Sequence, residues 1–471
     1  MNSHTTDRGS GRILGLAAAG SFMVALDATA VTTSLARIRL DLGASVSQLE
    51  WIVNAYALSF AVLLMTGAAL GDRFGRRRMF AAGIGLFTVA SAACALAPDA
   101  GWLVAVRAVQ GCGAALVMPL AMALLSAAFP PERRAAALGL FAGLTGLAVT
   151  AGPPLGGAIT QGLAWEWIFW LNVPVGLFLV PAVLRWVPES RGPGGALDLP
   201  GVALATCGAF GLVWGLVRAP EAGWGGIEVP LALVLGAAGL LLFVRWERRA
   251  PSPMVPMGLF GSRPFAEGNV SGFFLYAALY GALFYVAQFL QTAQGHGPLS
   301  AGLRMLPWTA TVTVAAPLAG RLVNRIGARR LTVTGLSLQA AGLLWLAAVA
   351  APGTGLLWLV PPMIVAGCGV SMAMPAAQAS VINAVPPPQI GRASGVFNTL
   401  RQLGGAFGVA VTVPVFTATG GYSSPASFAR GAGPAFAVCA LLSLAGAVPG
   451  VLAALVSRAG APRARVRSAA S

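Results

Sequence analysis

AVTAGPPLGG, Ala148 to Gly157, sits inside an apolar run that begins near Ala136 and is long enough to cross a bilayer. Two adjacent prolines are unusual company there. Proline has no backbone N–H and its ring collides with the preceding turn, so a helix is expected to kink or loosen at Pro153 and Pro154. Gly152, Gly156 and Gly157 carry no side chain, so a second helix can approach closely. A small-residue face beside a proline hinge suits a helix that packs tightly and still rocks. A kinked, purely structural helix has the same pattern, and the rest of the chain has to decide between them.

The 471 residues are 57% hydrophobic and only 9% charged, against about 25% charged in soluble domains. Such a chain cannot present enough polar surface to water, so a membrane is its default solvent. All 30 basic residues are arginine. With the abundance of Ala and Gly this points to a high-GC bacterial source. The five cysteines lie in apolar stretches without a CxxC and read as small buried hydrophobes. The two histidines, His4 and His296, accompany no carboxylate pair, so neither a metal site nor a histidine-based triad is expected.

Counting stretches of roughly 20 apolar residues predicts fourteen spans. An even number places both termini on one side. Among the loops opposite the N-terminus the only arginines are Arg37, Arg39, Arg218 and Arg430, whereas the N-terminal side carries Arg73, Arg76, Arg77, Arg78, Arg329, Arg330 and most of the others. The positive-inside rule then puts both termini in the cytoplasm. The net charge of +16 is thereby a topology signal, and nucleic-acid binding loses its main support.

The chain also repeats. Leu70, Arg73, Gly75, Arg77 and Arg78 match Leu322, Arg325, Gly327, Arg329 and Arg330 at one constant offset. Gly111, Cys112, Gly113, Met118 and Pro119 match Gly367, Cys368, Gly369, Met374 and Pro375 at a second offset close to it. Spans 1–6 thus recur as spans 9–14, with spans 7 and 8 as an extra hairpin. The expected organisation is a six-helix half (1–190), an inserted two-helix hairpin with its linkers (191–262), a second six-helix half (263–457) and a basic tail (458–471). Two parallel halves with a site between them near the midplane are a secondary-transporter architecture.

Four motifs carry a family resemblance: LDATAVTTSLA (Leu26 to Ala36), AALGDRFGRRR (Ala68 to Arg78), LVAVRAVQGCGAA (Leu103 to Ala115) and AVTAGPPLGG. With WEWIFWLNVPVG (Trp165 to Gly176) and GVFNTLRQLGGAFG (Gly395 to Gly408), the chain resembles the fourteen-helix drug:proton antiporters of the major facilitator superfamily over nearly its whole length. It departs from their pattern at Thr32, Ala36, Ala68 and Ala148. The resemblance implies an all-α polytopic membrane protein, two six-helix halves plus two central helices, that exports drugs or antibiotics against protons by alternating access. It implies that Asp27 and Arg107 line the central cavity, and that the loop holding Asp72, Arg73, Gly75 and Arg76 latches the halves and gates the switch. It also gives Gly152, Pro153, Pro154, Gly156 and Gly157 the role of an antiporter motif.

The residues support a part of this on their own. Asp27 is the only acid well inside a span. An isolated mid-membrane carboxylate is costly and should exchange a proton readily, although a structural ion pair is the other reading. At about 1.5 Å rise per residue Asp27 lies roughly 20 Å from one end of its span and Arg107 roughly 8 Å from the opposite end of its own. The two are thus at similar depth and pair if their helices adjoin. Gln110 shares nearly the same face and either solvates that site or makes a plain interhelical bond. Tyr276, Tyr280, Gln288 and Gln291 recur at helical spacing, followed by Trp308. This is a stripe for an amphiphilic, partly aromatic ligand or ordinary packing. Arg401 meets an anionic substrate group, pairs with Glu267 or snorkels. No acid lies deep in the second half, so a neutral, weakly acidic or monocationic compound fits better than a dication.

The functional expectation is proton-coupled efflux of a drug-like molecule from the cytoplasm of a bacterial cell, through a monomer embedded in lipid. A metabolite transporter working by symport or facilitated export is the alternative. A membrane enzyme or signalling protein lacks a catalytic cluster and a long loop. There is no P-loop sequence, so the energy is expected from the proton gradient, without a cofactor.

Overall fold

The computed structural model describes residues 3–192, 197–223, 225–386 and 389–459. The basic tail beyond residue 459 and the side chain of Asn324 lie outside the described residues. Regular structure among the described residues is helical throughout.

Helix α1 (Ser3–Ala30) runs through a 3-10 turn (Val31–Thr33) into short α2 (Leu35–Leu42). Helices α3 (Val46–Phe74), α4 (Arg76–Ala95), α5 (Ala100–Ala128) and α6 (Pro131–Gly162) follow. Then α7 (Trp167–Trp170) and α8 (Asn172–Trp186) form one interrupted span. Helices α9 (Leu199–Ala222) and α10 (Glu228–Glu247) make the central hairpin. The second bundle comprises α11 (Arg263–Gln288), α12 (Pro298–Arg304), α13 (Leu306–Ile326), α14 (Ala328–Val349), α15 (Leu356–Asn383), α16 (Ile390–Thr419) and α17 (Pro425–Ala459).

Thirteen of these stretches are long and apolar enough to cross a membrane, one fewer than the fourteen expected. The remaining expected span corresponds to α13, a 21-residue helix of which some side chains lie outside the described residues.

Local chemistry sets the helix ends. Ser45 and Gln48 form a reciprocal capping box at the start of α3, with Ser45 Oγ 3.2 Å from the Gln48 N–H. Gly75 and Gly327 end α3 and α13 with φ of 110° and 92°, a backbone shape that side chains disfavour. These two repeat-related turns mark what is termed the basic face. The start of α1 and the end of α17 lie there too: Ser10 bonds the carbonyl of Ala128, and Gly450 packs against Val333 beside Arg329.

Helix α6 runs continuously through Pro153 and Pro154. Two intrahelical donors are nonetheless missing there. At this loosened turn the Thr150 hydroxyl reaches across to the second bundle, 3.1 Å from the carbonyl oxygen of Thr309 and bonded to the Thr313 hydroxyl.

The core is asymmetric along the membrane normal. Away from the basic face one apolar cluster joins both bundles, with Val31, Leu35, Ile38, Leu49 and Ile52 packed with Ala282, Phe284, Phe289, Trp308 and Phe416. Toward the basic face there are two clusters, one in each bundle, around Phe80, Phe87 and Leu120 and around Phe265, Val370 and Phe397. Met65 is the one flanking residue they share. The bundles are therefore sealed together at the far face and divided at the basic one. Helix α9 is wedged between them, its Val213 and Val217 against Leu58 and Val62 of α3 and Ala406 and Ala410 of α16. Helix α10 is mostly exposed and rests on α9 through Gly208, Gly211, Gly236 and Gly239.

Candidate functional site

Five helices of the first bundle converge on Asp27, which is 2% exposed. Its Oδ2 lies 2.5 Å from an Nη of Arg107, itself 1% exposed. Its Oδ1 accepts from Gln110 Nε2 at 3.1 Å and from Asn172 Nδ2 at 3.0 Å. Arg107 and Gln110 are three residues apart on α5 and so share a face. Gln110 bridges the cluster, accepting from Arg107 at 2.6 Å and donating to Ser91 of α4 at 2.8 Å. Arg107 Nε donates to the Ile52 carbonyl of α3 at 3.2 Å, and its guanidinium lies 4.3 Å from the centre of the Tyr56 ring and 5.7 Å from that of Phe169.

The helices of Asp27 and Arg107 adjoin and the two side chains pair, with the Gln110 and Asn172 amides as two further donors to the carboxylate. Gln110 does both of the jobs open to it, bonding between helices and serving the site. Asn172, Ser91 and Tyr56 were not anticipated. Asn172 had a signal, being the one amide within the apolar span 167–186.

Across the interface the second bundle presents Tyr276, Tyr280 and Arg401. The guanidinium of Arg401 lies 4.6 Å from the centre of the Tyr276 ring and beside Tyr280. Tyr280 is in turn within electrostatic reach of Tyr56, so the Asp27–Arg107 cluster and the Arg401 cluster face one another. Among the described residues no carboxylate pairs with Arg401. Glu267 does not, because it is engaged by Arg329 at 3.1 Å.

The rest of the expected stripe is not part of this surface. Gln288 donates to the Phe284 carbonyl at 2.9 Å and bonds the Tyr422 hydroxyl. Gln291 donates to the Thr33 carbonyl at 2.8 Å, across the bundles. Trp308 is buried in the apolar seal. The stripe runs the length of α11, and its far end enters the seal rather than a ligand surface.

AVTAGPPLGG lies at a double interface. A Cβ on Gly152 would fall 1.9 Å from Thr29 Oγ1, and one on Gly156 would fall 2.5 Å from the Ala30 carbonyl oxygen. These glycines therefore seat α6 on α1, one turn from Asp27. Gly157 approaches Pro298, and Gly302 of α12 approaches the Pro153 carbonyl, where a Cβ would lie 2.3 Å away. The motif's other side thus closes against the second bundle. In that bundle Gly404 and Gly408 seat α16 on the Phe273 and Ala277 carbonyls of α11, the same contact without the prolines.

The loop after α3 does not latch the bundles in this structure. Asp72 pairs with Arg76 at 2.8 Å. The Arg77 N–H donates to Glu189 Oε1 at 2.9 Å, and Arg76 N–H to the Ser190 carbonyl at 2.8 Å. Glu189 also lies over Gly75, where a Cβ would meet its carboxylate at 2.7 Å. Arg73 lies over Phe74. The loop thus ties α3 and α4 to the segment after α8, inside one bundle, because Glu189 supplies locally the counter-charge that a latch would need from elsewhere.

A family model described as Major Facilitator Superfamily matches residues 17–409. The tetracenomycin C resistance and export protein of Streptomyces glaucescens is 36% identical over 399 residues, covering 84% of this chain and 73% of its own. The cephamycin export protein of Amycolatopsis lactamdurans is 36% identical over 440 residues, covering 92% and 90%. A solved POT family transporter, in complex with a thioalcohol-conjugated peptide, superposes with a TM-score of 0.71 at 15% identity over 96% of each chain. At that identity the likeness is one of fold alone.

Proposed function

Since the chain belongs to the Major Facilitator Superfamily, we propose that it exports antibiotic-like small molecules across the plasma membrane of a bacterium, exchanging them for protons by alternating access. It is a multi-pass membrane protein, and the arginine distribution assigns its basic face to the cytoplasm. The export proteins for tetracenomycin C and cephamycin, each 36% identical to this chain, support a drug-like substrate. With the far face sealed, this form is the one that loads substrate from the cytoplasm.

The observation that carries the coupling is the buried Asp27–Arg107 pair facing Tyr280 and Arg401. A proton on Asp27 cancels its attraction for Arg107. The guanidinium is then held by Tyr56 and the Ile52 carbonyl, on the helix that meets the second bundle. Loss of the proton draws it back. Substrate binds between Tyr56 and the Tyr276–Tyr280–Arg401 surface, where aromatic faces and one cation suit a neutral or weakly acidic ligand. Asp72, Arg73, Gly75 and Arg76 set the geometry of the gate, and Gly152 to Gly157 form the sliding seal. The functional halves are 1–190 and 263–457, with 191–262 as a spacer, and one chain suffices.

Everted vesicles test this directly. Addition of a transported drug is expected to dissipate an imposed proton gradient, and Asp27→Asn is expected to abolish both this response and resistance in a drug-sensitive host. Unchanged resistance in that variant removes Asp27 from the mechanism.

A further inference from the structure

We propose that Glu50 is a second proton-binding site, built into the seal that joins the bundles at the far face, and that its proton is required for the seal to close. Glu50 stands in the first turns of α3 and is 0% exposed. Neither carboxylate oxygen has a hydrogen-bond partner. Asn54, one turn further on the same face, is equally buried, and both of its polar side-chain atoms are unpartnered too. The Tyr285 hydroxyl, from α11 of the other bundle, faces the same carboxylate, with the Thr412 hydroxyl of α16 as its other neighbour. Tightly packed chains leave few unpartnered groups, and Glu50 and Asn54 stand one turn apart on α3 with Tyr285 of the other bundle facing Glu50.

The surroundings decide the form Glu50 takes. The titratable and charged groups facing it are Glu221 at the end of α9, Tyr285 on α11 and Tyr422 between α16 and α17. Behind these stand Cys439 on α17, near Tyr285, and Arg39 after α1. Glu221 is of the same sign and is engaged by Arg218. Arg39 lies over the Tyr422 ring, 4.4 Å from its centre, rather than against the carboxylate. The Tyr422 hydroxyl is taken by Gln288. A carboxylate buried with neither a cation nor a donor is far more costly than the neutral acid. The closed seal therefore holds Glu50 protonated, with Asn54 one turn away on the same helix and Tyr285 of the other bundle facing it. When the bundles part at the far face, water reaches the group, the proton leaves to the solvent on that side, and resealing takes one back. The proton thus returns to the side from which it came and adds nothing to a coupled stoichiometry. It makes closure of the far face pH-sensitive, separately from Asp27.

The experiment needs no transport, so its failure is distinct from failure of the antiport reading. In purified full-length protein, infrared spectra are expected to contain the carbonyl stretch of a protonated carboxylic acid at neutral pH, lost in Glu50→Gln. Seal opening is read by thiol labelling of Ala301→Cys, buried in the same cluster, in a background with the five native cysteines replaced. Labelling, normalised at each pH to that of the same cysteine in unfolded protein so that the thiolate fraction cancels, is expected to rise several-fold toward alkaline pH, and to stay low and flat when Glu50→Gln, the neutral mimic of the acid, is added. An infrared spectrum unchanged by Glu50→Gln, or labelling whose pH dependence survives it, overturns the proposal.

Discussion

Removing Arg107 alone leaves Asp27 buried with two amide donors and no counter-charge. Breaking a buried pair from one side costs about 3–5 kcal/mol, so Arg107→Ala is expected to lower the thermal unfolding midpoint in detergent sharply. Adding Asp27→Asn removes the stranded charge and is expected to recover most of the loss, while transport stays absent. A double variant no more stable than the single one shows that the pair is not what holds the cluster. A second prediction concerns pH. His296 lies outside the spans, and burial together with nearby Arg304 depresses its pKa below the usual 6.5. It is consequently neutral throughout the range above that value and gains its proton only in more acidic solution. The pH profile of efflux near neutrality is expected to be the same in His296→Ala as in the parent, measured in vesicles. At this scale the sequence made Asp27 and Arg107 visible because a charge inside an apolar span is rare. Ser91 was hidden because small hydroxyls are common in spans, whereas Asn172 stood out as the one amide of its span. Glu50 was hidden because acids near helix ends are usually solvated, and its burial comes from the other bundle.

Helix pairing follows the small residues. Gly152 and Gly156 on α1, and Gly404 and Gly408 on α11, place backbone against backbone at matching positions of the two bundles. The packing face of α6 was therefore legible from four letters of sequence, and so was its partner in the repeat. The bond from Thr150 to α13 of the other bundle was not, because it depends on Thr309 and Thr313, far away in sequence. Nor was the loop after α3: its ion pairs depend on Glu189, more than a hundred residues away in sequence. Gly156→Leu is expected to reduce efflux at least tenfold with membrane insertion retained, since the side chain has only the Ala30 carbonyl to enter. Gly139→Leu on the same helix, where a Cβ meets nothing within 4 Å, is expected to leave efflux within about twofold. Equal loss in both variants shows a general sensitivity of α6 and removes the case for a specific α1–α6 seat.

At the scale of the molecule, the joined core at the far face and the divided core at the basic face make alternating access a matter of moving one seal. The bundles stay in touch through the middle by way of α3, α16 and the α9 wedge, so opening the far face means rocking about that middle rather than separating. Repeats and arginine placement made the two-bundle plan readable in advance. They carried no information on which face is sealed, because both conformations use the same sequence and differ in which apolar surfaces meet. Gln161 of α6 and Leu299 of α12 lie across the seal from one another, joined by a 3.2 Å bond from the Leu299 N–H to Gln161 Oε1. Rocking must part them. With cysteines at both positions in a background free of the native ones, a short cleavable thiol crosslinker is expected to stop transport, and cleavage of the linker to restore it. Substrate binding measured on the crosslinked protein is expected to persist, since the basic face stays divided. Continued transport while the link is intact means that the seal at α6 and α12 does not open during the cycle, and that substrate leaves by another route.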